Sequence, residues 1–298
     1  VYGKLGRSVV KLISLTLVRN EDWILGFSAR AALKWCDDII FYFHNCDDDT
    51  TRIADEISLE NPGRVLRISG AGRAPGWAEM DIRQTMLQAG RERGGTHFAI
   101  VDADEALTAQ SSLLVRGCTS LLKPGETLEL PMRPIWTNLD SYRNDSSVWC
   151  RSFISTTFCD HPSLTWKPDK TGYQHHHRLP YGIGPRIHPW THDDVQKGGG
   201  MHLQFVQWRR LVQKHRWYAR REIMLYPDRP VERINKMYNE AVMDEYPKVS
   251  PCPASWWTAY GNLRDKINLT QTETWFEKEI AEMESSHGPF VGLTGRLV

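Results

Sequence analysis

The sequence predicts an α/β chain: a mostly parallel sheet with helices on both faces, followed by a C-terminal helical extension. Three observations point there. Strand-like and helix-like segments alternate four times within about the first hundred residues, the pattern of a parallel sheet wound with helices. The strand-like segments are short apolar runs, as expected for strands covered on both faces. Three polar clusters, at 19–22, 44–50 and 102–105, follow such runs. Ligands of parallel sheets sit beyond the carboxyl ends of the strands.

Residues 9–18 (VVKLISLTLV) read as a buried strand that stops at Arg19-Asn20-Glu21-Asp22. From Trp23 to Lys34 a helix places Ile24, Phe27 and Ala31 on one face. Residues 39–43 (IIFYF) form a second strand, too apolar to be half-exposed. It ends in HNCDDDT, a turn and helix N-cap whose acids also suit a helix N-terminus. Ile53 and Ile57 continue that helix, Gly63 ends it, and residues 65–69 (VLRIS) are a third strand. Trp77 to Arg91 is helical, and residues 97–101 (HFAIV) are a fourth strand running into Asp102-Ala103-Asp104-Glu105.

Beyond residue 106 the rhythm changes. Residues 127–136 (TLELPMRPIW) read as another strand. Residues 161–200 hold five prolines, six glycines and six of the eleven histidines, and read as a lid-like segment. A helix is expected from Met201 to Arg221, and two more over roughly 230–245 and 272–286. In the last, Phe276, Ile280 and Met283 form the apolar stripe and Gly288 lies near a C-cap.

Composition narrows the class. The 298 residues are 41% hydrophobic and 24% charged, which excludes a disordered chain, a collagen-like fibre and a small disulfide scaffold. With 37 basic and 36 acidic residues the net charge is +1, so the chain is no general nucleic-acid coat. No apolar run has the length of a membrane helix. The six cysteines form no CxxC pair and are expected as free thiols in a reducing compartment, hence a cytoplasmic location.

The sharpest chemical feature is Asp102-x-Asp104 directly after a buried strand. Strand periodicity puts both carboxylates on one side, and two neighbouring carboxylates repel unless a cation neutralises them. Oxygen ligands suit Mg2+ or Mn2+, which bridges to phosphate oxygens. The bland alternative is a solvated turn of acids. Neither GxGxxG nor GxxxxGK[ST] follows the first strand, and no nucleophile elbow is present, which argues against dehydrogenase, P-loop and hydrolase chemistry.

Residues 12–21 (LISLTLVRNE) resemble the opening of GT-A-fold glycosyltransferases of the family-two kind, in which a strand leads to a basic-Asn-Glu turn. Trp77–Glu105 resembles their next block, a helix carrying Arg83 and a strand ending in DxD-E. The resemblance covers residues 9–110 well and 185–220 loosely. It implies a GT-A-like (Rossmann-like) catalytic domain over 1–225, with a nucleotide-sugar half (1–110), an acceptor half (111–225) and a helical extension (226–298). It implies a metal-dependent transfer from a nucleoside-diphosphate sugar to an acceptor hydroxyl, by an inverting hexosyl- or pentosyltransferase. Asp102 and Asp104 would hold Mn2+ or Mg2+ on the donor diphosphate. Arg19, Asn20, Glu21 and Asp47 would flank the nucleoside, although HNCDDDT departs from the commoner Asp-x-Ser-x-Asp. Arg83 would reach the phosphates.

Residues 198–221 (GGGMHLQFVQWRRLVQKHRWYARR) are densely cationic and contain no acid. The three glycines suggest a hinge. His202 and Lys214 resemble the late metal-binding His and the late phosphate-binding Lys of GT-A enzymes. The same segment, with Trp208 and Trp217, would alternatively suit a nucleic-acid module. The acceptor is accordingly a glycan, a small molecule or a modified nucleic-acid base. A nucleotidyltransferase is the rival enzyme class, but residues 19–26 lack its Gly-rich basic signature. An inverting enzyme needs a carboxylate base. Asp193 and Asp194 match the family spacing past the DxD, with Asp145 and Asp160 as rivals. His175-His176-His177 reads as loop, since three consecutive side chains do not converge on one ion.

Overall fold

The computed structural model describes residues 10–70, 79–167, 177–243, 247–270 and 274–295. At its centre is β1 (Leu12–Val18), buried along its whole length. Ile13, Leu15 and Leu17 face one layer of helix and Val18 the other. A strand with two covered faces has no use for alternating polarity, which is why its sequence is one apolar run. Its polar pair, Ser14 and Thr16, hydrogen-bonds to itself at 3.1 Å.

The chain then runs α1 (Leu25–Ala32), β2 (Asp38–His44), α2 (Thr50–Glu60), β3 (Val65–Gly70), α3 (Glu79–Glu92) and β4 (His97–Ile100). β2 and β4 flank β1 in parallel, and β3 adds outside β2. Leu25, Ala29 and Ala32 of α1 pack with Ile57 of α2 on one face. Met80, Ile82, Met86 and Leu87 of α3 pack on the other. The strand order therefore reverses between β1 and β4, with α1 and α2 covering one face and α3 the other. That reversal opens a crevice at the carboxyl ends of these two strands.

Next come β5 (Glu105–Leu107), α4 (Ala109–Thr119), β6 (Thr127–Pro134), β7 (Ser141–Arg143), α5 (Val148–Arg151), β8 (Phe153–Cys159), β9 (Arg186–Ile187) and β10 (Gly200–His202). The main sheet has nine strands among the described residues, in the order β3-β2-β1-β4-β8-β6-β10-β5 with β9 beside β6. β8 is antiparallel to both β4 and β6, and β5 is antiparallel to β10; the other pairings are parallel. The expected mostly parallel α/β sheet with helices on both faces is thus what the chain forms.

The helix expected from Met201 starts later. Gly200–His202 is instead a strand wedged between β6 and β5, and α6 spans Trp208–Leu225. The glycines explain the difference. A Cβ on Gly199 would lie 2.0 Å from the Pro131 carbonyl oxygen, and one on Gly200 would lie 2.6 Å from the Ile154 side chain. The Gly198–Gly200 run is close-packed backbone, so it acts as an anchor and the hinge expectation fails on sterics.

α7 (Val231–Met243), β11 (Val249–Pro251) and α8 (Trp275–His287) complete the chain, with β11 pairing β7. α7 packs on α6 through Ala219, Ile234 and Tyr238, and α8 through Trp217, Phe276 and Ile280. All six cysteines are unpaired. Among the described residues no helix is long and apolar enough to cross a membrane.

Candidate active site

Three turns meet at the crevice. Asn20, at the end of β1, takes a left-handed φ of 50°, a conformation Asn tolerates better than most residues. Its side-chain amide is thereby aimed at the turn after β2. Asn20 Nδ2 donates to Asp47 Oδ1 at 2.5 Å, and the Asp47 amide donates back to Asn20 Oδ1 at 2.9 Å. Glu21 is held from inside: Trp23 Nε1 donates to it at 2.6 Å and Arg210 Nη2 at 2.9 Å. Burial pushes the Glu21 carboxyl upward; Arg210 pulls it back and Asp104 adds to the rise.

β4 stops at Ile100, and residues 102–105 form a turn closed by the Glu105 amide on the Asp102 carbonyl at 2.9 Å. The strand periodicity used to align the two carboxylates therefore ends before it reaches them. Asp102 accepts from Arg83 at 3.2 Å and from Arg178 at 2.9 Å. Burial opposes its charge, but Arg178 and then Arg83 outweigh burial and hold the carboxyl below its ordinary range. Asp104 turns to α6 and accepts from Lys214 Nζ at 2.9 Å, with His202 Nε2 at 3.9 Å from the same oxygen. Burial again opposes the charge, and the Lys214 ammonium outweighs it.

Burial drives the His202 imidazole down to about 4 against the pull of Asp104, so it is neutral at neutral pH. That is the form that ligates metals. Its Nδ1 is buried without a hydrogen-bond partner. Among the described residues no three His, Cys, Asp or Glu side chains are grouped around one point. The donor set nearest to a cation site is the pair Asp104 and His202. Both Asp102 oxygens are occupied by guanidinium groups.

Arg178 is the organising residue that sequence reasoning missed. Its guanidinium bonds Asp102, both Glu105 oxygens at 3.0 and 2.5 Å, the Ile100 carbonyl at 2.8 Å and, through Nε, the Ser155 carbonyl at 2.9 Å. Burial lifts the Glu105 carboxyl to about 7, with Arg178 opposing and Asp102 adding. No local sequence signal marks Arg178, which lies in an irregular stretch one residue past the triple histidine. Of that triple, His175 and His176 lie outside the described residues; the His177 carbonyl accepts from Trp166 Nε1 at 3.0 Å.

Other expected residues fall elsewhere. Arg83 is buried and clamped to Glu79 at 2.7 Å as well as to Asp102. Arg19 pairs with Glu279 and stacks 4.0 Å from the Trp275 ring centroid, so α8 covers it. Asp194 is committed to its own turn, accepting from the Thr191 amide at 2.9 Å and pairing with Lys197 at 3.0 Å. No described contact brings Asp193 or Asp194 to Asp102 or Asp104. Asp145 is bound by Arg143 and Ser147, and Asp160 sits at the opposite end of the sheet, bound by Arg91.

The cations of α6 are largely spent inside the molecule. Arg209 pairs with Glu277, Arg210 with Glu21, Lys214 with Asp104, and Arg216 and Arg220 with Glu284. Arg221 lies over the Trp217 ring. Trp217 is buried, and Trp208 packs edge-on to Trp136. Arg209 stays exposed at the surface, and the other cations of this helix are paired or stacked within the chain.

No protein-family model matches the chain, and no curated protein matches it. Solved structures are similar in chain path. The mannosyltransferase PcManGT from Pyrobaculum calidifontis, in complex with GDP-Man and Mn2+, is 11% identical with a TM-score of 0.41, over 95% of this chain and 78% of that one. GalNAc-T7 with UDP, GalNAc and Mn2+ is 13% identical with a TM-score of 0.37, over 94% of this chain and only 58% of that one. A 4-diphosphocytidyl-2C-methyl-D-erythritol synthase is 13% identical with a TM-score of 0.32, over 50% of this chain and 75% of that one. At these values the likeness concerns architecture, and function must be argued from the residues.

Proposed function

We propose that this chain is a glycosyltransferase that moves a sugar from a nucleoside-diphosphate sugar to an acceptor hydroxyl. The observation that carries the reading is the convergence of Asn20, Asp47, Asp104, His202 and Lys214 on the crevice at the ends of β1 and β4. The resemblance of residues 9–110 to GT-A glycosyltransferases supports it. The nucleoside would lie against the Asn20–Asp47 pair, with Glu21 buried behind. The diphosphate would lie beside Lys214, whose ammonium, shared with Asp104 at 2.9 Å, would face the negative charge that the leaving group gains.

Asp104 and His202 would be the ligands of a divalent ion, because the neutral imidazole turns Nε2 to the Asp104 carboxylate at 3.9 Å. The other positions would be filled by diphosphate oxygens and water. Bound there, Mn2+ or Mg2+ would neutralise the departing diphosphate. Asp102 would serve through Arg83 and Arg178, by fixing the turn that presents Asp104. The acceptor proton would pass to Asp193, since Asp194 is committed to its turn. A reducing, cytoplasmic setting suits the six free thiols.

A thermal-shift panel of UDP-, GDP- and dTDP-sugars, each with and without Mn2+, tests the reading. A donor that binds the folded chain raises the midpoint by mass action. A metal-enhanced shift with one donor is expected. No shift with any nucleotide sugar, alongside a shift with a nucleoside triphosphate, favours the nucleotidyltransferase class.

A further inference from the structure

A cavity of about 500 Å³ opens beside the carboxylate turn and shares Glu105 and Arg178 with it. Its size is that of a small-molecule site. One part of the wall is apolar, from Met132, Ile154, Leu179, Tyr181 and Ile183. The other part is polar, from Glu105, Ser155, His177, Arg178 and Arg186, with the His177 ring 5.2 Å from that of Tyr181. The wall is built by tertiary structure. The Tyr181 amide is tied to the Thr165 carbonyl at 2.9 Å, while Met132 and Ile154 come from the paired strands β6 and β8.

Charge decides what the cavity takes. Arg178 is neutralised by Glu105 and Asp102, and Arg186 by the buried Glu129 at 2.9 Å. Glu129 is in turn bonded by Ser155 Oγ at 2.7 Å and His188 Nε2 at 3.0 Å. Among its described residues the wall thus offers no uncompensated guanidinium to hold a phosphate or carboxylate. It also carries too many polar groups for a wholly apolar guest, which would leave them desolvated and unpaired. A saccharide ring answers both demands, with hydroxyl groups at its edge and apolar C–H faces that pack on Tyr181 and the aliphatic side chains.

Building on the transferase reading, we infer that this cavity is the acceptor site and that the acceptor is an uncharged saccharide. Its sugar ring lies on Tyr181, in the cavity that shares Glu105 and Arg178 with the carboxylate turn. The acceptor end is thereby separated from the nucleoside end at Asn20 and Asp47, as a transfer reaction requires.

The test is saturation-transfer NMR on the full chain with methyl glucoside, methyl galactoside, methyl mannoside, glucose phosphate and benzyl alcohol as probes. At least one methyl glycoside should bind. Tyr181→Ala and the cavity-filling Ile183→Trp should each weaken it about tenfold. Both variants should keep the wild-type thermal shift with nucleotide sugar, which shows that they fold. Tighter binding of glucose phosphate or equal binding of benzyl alcohol overturns the saccharide assignment. Glycoside binding that survives both substitutions, or no glycoside binding at all, overturns the site. A nucleotide-sugar shift without glycoside binding defeats this inference alone. Glycoside binding that is sensitive to both substitutions, without any nucleotide-sugar shift, defeats the transferase reading and leaves the saccharide cavity standing.

Discussion

Lys214 Nζ lies 2.9 Å from Asp104 Oδ2, joining the middle of α6 to the turn after β4 across 110 residues of sequence. Both side chains are mostly buried, at 15% and 9% exposure. Each charge is therefore sustained by the other, and the pair fixes α6 over the crevice.

Asp104→Asn should remove transfer by at least about a hundredfold, because it takes away the charge proposed to act at the diphosphate. It should also lower stability by roughly 3–5 kcal/mol, since it leaves the Lys214 ammonium buried and unpaired. Asp104→Asn with Lys214→Met should recover much of the stability and none of the activity. Urea denaturation of the wild type, the single variant and the double variant reads the first effect, and transfer assays read the second. Equal stability of single and double variants would show that the unpaired Lys214 ammonium is not what destabilises Asp104→Asn.

Gly199→Ala should destabilise the chain, with little soluble protein recovered or a midpoint many degrees lower. The added Cβ would meet the Pro131 carbonyl oxygen at 2.0 Å, and backbone cannot step aside as a flexible side chain can. Differential scanning calorimetry reads this directly. A variant with an unchanged midpoint and altered turnover would restore the hinge assignment for the Gly198–Gly200 run.

Why the strand β10 escaped sequence reading follows from the same contact. Three residues carry no usable periodicity, and glycine's role there depends on Pro131 and Ile154, which are distant in sequence. The strands β1, β2 and β4 were legible because burial on both faces writes itself as a continuous apolar run. Asp102 and Asp104 were legible because they follow such a run. Their partners were not: Arg178, on a loop without periodicity, reaches Asp102 only in the folded chain, Lys214 reaches Asp104 only from the middle of α6, and Glu279 reaches Arg19 only because α8 folds back on α6. Residues that bond across the fold leave no local trace of their partners.

Asp145 ties its acid stability to Ser147 and Arg143. Burial opposes its charge, but the hydrogen bonds from Ser147, with a further one from Arg143, hold the carboxyl at about 2 against the ordinary 3.8. A depressed carboxyl stabilises the fold above its unfolded pKa and loses that contribution as pH falls through the folded value. The contribution of Asp145 is thus complete above about pH 4 and fades toward pH 2. Asp145→Asn should lower stability at pH 6 and flatten its dependence between pH 4 and 2. Denaturant midpoints at several pH values check this. Parallel acid limbs in wild type and variant would assign the acid sensitivity to other carboxylates.

Asp193 and Asp194 are adjacent in sequence yet differ in commitment, and this separates their roles. Asp194 accepts from the Thr191 amide and hydroxyl and pairs with Lys197, so it holds its own turn. The turn is fixed at its far end by Gly198, whose carbonyl accepts from Arg133 and Trp190. Asp193 is exposed, and among the described contacts its carboxylate has no hydrogen-bond or ion-pair partner. If Asp193 takes the acceptor proton, Asp193→Ala should abolish transfer and leave the nucleotide-sugar thermal shift intact. Loss of a general base costs about a hundredfold or more. Asp194→Ala should instead loosen the 191–197 turn, seen as faster proteolysis there, with a smaller loss of transfer. Adding donor and metal should slow that cleavage if the turn closes during the reaction. Normal turnover of both variants, with proteolysis indifferent to donor, would make this segment scaffold and direct the search for the base to carboxylates lining the crevice itself.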